Sequence, residues 1–182
     1  MSDLGGRLVF VPTRRAAIVL FVVALAVYWL QALGWPMAKG RDTWDYLVYY
    51  LQFLDGDPPL SQVQLFRTPL TPLVVGLPMA IGGAALLEVV FGLLFAVGVV
   101  AWSATALVFG RVPALASAVL LLVYPAWATL YHQASSDAVF ATGLALWALV
   151  LGARVDALER RVSALERRPW SRVRAKVGAW RA

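Results

Sequence analysis

Residues 69–108 read PLTPLVVGLPMAIGGAALLEVVFGLLFAVGVVAWSATALV, about forty positions with one ionisable side chain, Glu88. That is twice the ~20 apolar residues that carry a helix across a ~30 Å hydrocarbon core. No soluble domain needs such a run, so it makes the chain a membrane protein. Pro69, Pro72, Pro78 and the pair Gly82-Gly83 punctuate it. We therefore read Pro69–Met79 as a broken interfacial or re-entrant segment, followed by a span from about Ala84 to Val108. Irregular backbone at membrane depth survives only where protein or a wet cavity covers it, so the broken part is expected to wall a site.

Outward from this run, three further apolar stretches cover about Ala16–Leu33, Val112–Leu130 and Ala138–Gly152. The expected fold is an all-α, polytopic membrane helix bundle of about four transmembrane helices. Composition agrees: the chain is 61% hydrophobic and 14% charged, with a mean hydropathy of +0.74, against roughly 45–50% and 25% in soluble domains. The first stretch is too long for a signal peptide and lacks a small-residue cleavage site, so it is expected to remain as an anchor. Cysteine is absent and histidine occurs once, which excludes disulfides, thiolate metal sites and a histidine cage.

Flanking charge gives direction. Arg7, Arg14 and Arg15 precede the first span, Arg111 sits in the turn after the second, and nine of the sixteen lysines and arginines lie from Arg154 onward. Placing these inside leaves Lys39, Arg41 and Arg67 outside. Both termini are then cytoplasmic, in a multi-pass protein of the plasma membrane with residues 34–83 as an outer loop. Residues 1–153 form the transmembrane module and 154–182 a basic amphipathic tail. The net charge of +6 reflects this topology, and without a nucleic-acid motif we expect no nucleic-acid partner.

The outer loop opens with an amphipathic juxtamembrane segment, Asp42–Leu54. Trp44, Leu47, Val48, Leu51 and Leu54 share one face and Asp42, Asp45, Tyr49 and Gln52 the other, which predicts a helix lying on the bilayer. Asp42 and Asp45 then point away from lipid. Either is placed to act as a general base on an acceptor hydroxyl, or to help hold a divalent cation through oxygen ligands. The alternative is structural: Asp42 as a helix cap and Asp45 as a first-turn acid that favours the helix dipole. Asp137 follows Ser135-Ser136 at the entry to the fourth span, on the same membrane side, and has the same two readings. Tyr49 and His132 are further candidates for substrate contact, with an interfacial polar role as the alternative for His132. Glu88 is costly in lipid unless it faces the bundle, where it either lines the same cavity or makes a hydrogen bond.

In their order along the spans, Asp42-x-x-x-Tyr46, the following Arg67-Thr68-Pro69-Leu70-Thr71-Pro72 and Asp137 at the fourth span resemble the GT-C superfamily of glycosyltransferases. The likeness is to the protein O-mannosyltransferase, aminoarabinose transferase and rhizobial lipopolysaccharide transferase group. It covers about Arg14 to Arg154, the N-terminal portion of such enzymes. The resemblance implies sugar transfer from a polyprenyl-phosphate donor to an acceptor on the outer face of the membrane, within the cell envelope. It implies a catalytic or metal-associated role for Asp42, with Asp45 a weaker transfer of that role. Asp137 matches the layout as the second acid, catalytic or metal-holding together with Asp42. Tyr46 and Pro69-x-x-Pro72 would shape the site and Arg67 would meet the carrier phosphate. The rival expectation is a non-catalytic membrane scaffold or subunit. A transporter ranks third, because paired half-helices are not evident.

The tail repeats Ala-Leu-Glu-Arg-Arg at 157 and 164, with Val155, Leu158, Val162 and Leu165 at heptad spacing. A solvated or interfacial helix is expected, with pairing to another chain as the alternative. After Pro169, Trp170, Val173, Val177 and Trp180 recur among basic residues, a pattern suited to the surface of an anionic bilayer.

Overall fold

The computed structural model describes residues 13–38, 40, 42–55 and 70–179, all helix and connecting turn, with no strand among them. Its helices are α1 (Arg14–Gly34), α2 (Thr43–Asp55), α3 (Leu70–Ala106), α4 (Arg111–Val123), α5 (Pro125–His132) and α6 (Ser136–Ala179). Three elements are long and apolar enough to cross a membrane, or four if the bent pair α4–α5 counts as one span. The chain is thus an all-α, multi-pass membrane bundle.

Helix α1 is 21 residues long, or ~31 Å at 1.5 Å per residue. It starts where the Thr13 hydroxyl accepts from the Ala16 N–H at 3.3 Å and ends ahead of Pro36, which disfavours helical backbone in the residue before it. Only Ala24 and Tyr28 are fully buried along it. Leu30 and Leu33 are 67% and 84% exposed, surface that lipid rather than water must cover.

Helix α3 is the hub, against which α1, α2, α4, α5 and α6 all pack. At 37 residues it would run ~56 Å if straight, well beyond the bilayer core. Gly83 resolves the mismatch by leaving helical geometry (φ 63°, ψ −156°), a conformation that residues with a Cβ avoid. The expected interruption therefore falls at the glycine pair. The prolines do not cause it: Pro72 sits in the first turn, where a missing N–H costs nothing, and Pro78 lies inside regular helix. Pro69–Met79 is thus helical over its described part, from Leu70, rather than broken.

Three glycines of α3 each seat a tyrosine from a different helix. A Cβ on Gly76 would overlap the root of the Tyr50 ring from α2, one on Gly92 would lie 2.9 Å from the Tyr28 ring of α1, and one on Gly98 would lie 2.7 Å from the Tyr131 hydroxyl of α5. Membrane helices have no hydrophobic force to draw them together, so close approach over small residues supplies the packing. Around these contacts lie the fully buried Phe91, Phe95 and Val99. The Tyr131 hydroxyl also meets Thr142 Oγ1 at 2.9 Å, and Thr142 donates to the Leu94 carbonyl at 3.3 Å. Thr142→Val should therefore cost ~1–3 kcal/mol by stranding the buried Tyr131 hydroxyl, whereas Tyr131→Phe, which leaves Thr142 bonded to Leu94, should cost about 1 kcal/mol or less. Thermal unfolding in one detergent measures both.

The third span, expected over about Val112–Leu130, is bent. Helices α4 and α5 meet at 58°, because Pro125 opens α5 and Tyr124 before it is extended (φ −77°, ψ 115°). The fourth span begins two residues earlier than expected. It continues as one 44-residue helix through Pro169 into the tail, where separate elements were expected.

Candidate functional site

Two backbone contacts bring the two halves of the site together, and two local turns then set α2. After α1 the chain turns back, and the Ala38 N–H donates to the His132 carbonyl at 2.7 Å. Gly40 then packs so closely on the Gln133 carbonyl that a Cβ would overlap it. The Thr43 N–H donates to the Gly40 carbonyl at 3.1 Å, and the Tyr46 N–H to that of Asp42 at 3.1 Å. Asp42 thus stands immediately before α2, pressed against the α5–α6 turn.

That turn is itself held in a costly shape. Ala134 is buried with φ of 46°, a left-handed conformation that costs a residue with a Cβ ~1–2 kcal/mol. Ser135 secures it: its hydroxyl donates to the Leu130 carbonyl at 2.9 Å and accepts from the Ala138 N–H at 3.3 Å. Because Ser135 caps α6, Asp137 is not needed as its cap. Its carboxylate lies exposed in the first turn, where the helix dipole stabilises negative charge.

Asp42 and Asp137 consequently line one cavity of 140 Å³, together with Tyr46, Gln133, Ser135 and Ser136. Tyr46, Ser136 and Asp137 also line a much larger groove of 780 Å³, whose remaining wall is largely apolar: Leu70, Val139, Phe140, Leu144 and Trp147 among others. Phe140 and Trp147 are 70% and 60% exposed, so the groove lies open along the flank of α6. A small polar chamber with two carboxylates thus adjoins a long apolar trough.

The other candidate residues lie elsewhere. Asp45 is exposed on α2 and lines neither cavity, and half-buried Tyr49 also lies outside both. The face of α2 that docks is Thr43, Tyr46 and Tyr50, all buried, while Trp44, Val48 and Leu51 are exposed. His132, a candidate substrate contact with an interfacial polar role as the alternative, lines neither cavity. It is fully buried, stacked on Tyr28 at 4.3 Å between ring centroids with 4° between planes, and flanked by Trp35 at 6.2 Å. It is a packing residue behind the site. Glu88 is half-buried, within electrostatic reach of Tyr28 and His132, and does not line the acidic cavity. Arg67 and Pro69 lie outside the described residues.

Among the described residues no three His, Asp or Glu side chains come close enough together to hold a metal ion. Two carboxylates with hydroxyl and amide oxygens nearby are a hard-oxygen donor set, incomplete as a resident site. Mg²⁺ is commonly bound through one or two carboxylates plus substrate phosphates. The Phe140–Trp147 wall was not singled out from sequence, since spacing of that kind on a span also fits plain contact with lipid. No protein-family profile, curated protein or solved structure matches the chain.

Proposed function

We propose that the chain is a membrane glycosyltransferase, or the N-terminal module of one, that moves a sugar from a polyprenyl-phosphate carrier to an acceptor hydroxyl on the outer face of the membrane. One observation carries the reading: two carboxylates from separate elements share a polar cavity that adjoins a larger, mostly apolar groove along the flank of α6. A lipid-linked sugar has the same two-part form, a polar head on a long hydrocarbon chain.

In this reading Asp42, half-buried in the smaller cavity, takes the proton from the acceptor hydroxyl as its oxygen bonds to the anomeric carbon. The bond from that carbon to the phosphate oxygen breaks, and the electron pair leaves with the carrier phosphate. Such a leaving group needs little acid assistance, so the protein's work is to deprotonate, position and balance charge. Asp137 orients the sugar; with Asp42 it would also offer carboxylate oxygens to a divalent cation, which would balance the phosphate charge. Arg67 is the expected cationic partner of the carrier. The distribution of basic residues supports a site on the outer face with both termini in the cytoplasm.

A second reading rests on the same acids. Asp42 precedes α2 and Asp137 lies in the first turn of α6, where carboxylates also stabilise helices, so a non-catalytic scaffold or subunit would retain them too. A photoactivatable polyprenyl phosphate incorporated into vesicles with the chain separates the two. The label should concentrate on residues 139–147 and the start of α3. Even labelling of all lipid-facing helices, α1 and α4 included, would favour the scaffold.

A further inference from the structure

From Leu151 to Leu165, helix α6 carries no packing from its own bundle: every residue is exposed except half-buried Asp156. Isolated helices of this length are marginal in water, so such a segment usually gains its order from a partner. Its apolar positions form one stripe at alternating four- and three-residue steps, namely Leu151, Val155, Leu158, Val162 and Leu165, which are 45%, 45%, 60%, 53% and 63% exposed. Continuity with the membrane span extends the seam upstream to Leu151, beyond the repeat itself.

We propose that this segment pairs with the same segment of a second copy of the chain, as a parallel, in-register, two-stranded coiled coil. Side-chain shape favours two strands: β-branched Val155 and Val162 occupy one set of seam positions and Leu151, Leu158 and Leu165 the other. Charge selects the partner. Arg154 and Arg161 border the stripe on one flank and Glu159 on the other, with a second glutamate at position 166. None of these four has an opposite charge three or four residues away in its own helix, whereas Asp156 and Arg160 do match at that spacing. In a parallel dimer the flanking position of one helix meets the position five residues later on its partner. Arg154 of each copy then faces Glu159 of the other, and Arg161 faces position 166. An antiparallel pairing would set arginine against arginine and glutamate against glutamate.

The membrane supplies what a short seam lacks. Two copies inserted with the same topology are already parallel and at the same depth, which removes much of the orientational cost of association. Lying flat on an anionic bilayer fits the structure less well. Glu159 borders the apolar stripe, so it would be pressed towards the lipid headgroups, and the helix leaves the span through Gly152 without a break that would let it turn.

The chain has no cysteine, so single cysteines report contacts cleanly in the intact protein in lipid vesicles. Under mild oxidation, Val155→Cys, Leu158→Cys and Val162→Cys should give covalent dimers, while Ala157→Cys, Arg160→Cys and Ala164→Cys should not. In the Leu158→Cys background, adding Glu159→Arg should reduce dimer yield to that of the outward positions, and further adding Arg154→Glu should restore it. Yields equal around the helix, absence of dimer at every position, or failure of the second charge change to restore the first would each overturn the in-register pairing.

Discussion

Asp42→Asn and Asp137→Asn are each expected to slow sugar transfer by ~10²–10⁴-fold, the usual contribution of a positioned acid or base, in membranes supplied with a polyprenyl-phosphate sugar. Both substitutions keep the shape of the side chain while removing its charge and turning one acceptor oxygen into a donating amide. The structural cost at Asp137 should stay small, because it adds a first-turn carboxylate to a helix already capped by Ser135, a contribution of ~0.3–1 kcal/mol. At Asp42, thermal unfolding of the Asn variant measures what the carboxylate holds in place, and the transfer loss should exceed it. Rate and stability should therefore separate. Asp45→Asn is the internal control, because Asp45 is exposed outside both cavities, and it should transfer at close to the parent rate. Parent-like transfer by both the Asp42 and Asp137 variants would leave the acids only their structural role.

The second large effect is expected at a residue that touches no substrate. Gly76→Ala places a methyl group into the root of the Tyr50 ring, a point that cannot swing aside because it is fixed to the backbone of α2. Overpacking of this kind costs ~1–3 kcal/mol, and the cheapest relief is for α2 to lift from α3. Lifting α2 carries Tyr46 out of both cavities and moves Asp42 with it. Transfer should fall severely while the contacts of α3 with α1 and α6 persist, which shows as faster proteolysis within α2 but not within α6. Gly98→Ala meets only the outer atoms of side chains, the Tyr131 hydroxyl at 2.7 Å and the Trp127 ring at 3.2 Å, rather than a ring root fixed to backbone, and should be the milder change. Equal and small effects from the two would mean that α2 is not held through Gly76.

The same contrast explains what could be read before the fold was known. Hydropathy was enough for the helical membrane bundle, for the extent of α1, and for α2, whose Trp44-Val48-Leu51 face is exposed as its periodicity implied. The kink at Gly83 had a local cause and was near where the glycine pair suggested. The bend at Pro125 also had a visible cause, yet membrane helices tolerate proline when neighbours satisfy the freed backbone groups. Its outcome depended on packing that no single stretch encodes. The pairing of Gly76, Gly92 and Gly98 with tyrosines from three helices was illegible for that reason, as was the burial of His132, a polar residue whose surroundings are set by Tyr28 and Trp35 from a distant helix. Asp42 and Asp137 could be assigned to one side of the membrane by counting spans. Their common cavity rests on close approaches such as Gly40 against Gln133, which arise only on folding.

That shared cavity is tested most directly by replacing both acids with cysteine in this naturally cysteine-free chain. Sealed vesicles holding the Asp42→Cys/Asp137→Cys variant would be treated, from one side at a time, with a short membrane-impermeant bifunctional thiol reagent. The account predicts an intramolecular bridge from one side only, blocked when polyprenyl phosphate is present. Thiols that react from opposite sides, or that both react yet are never bridged, would contradict it.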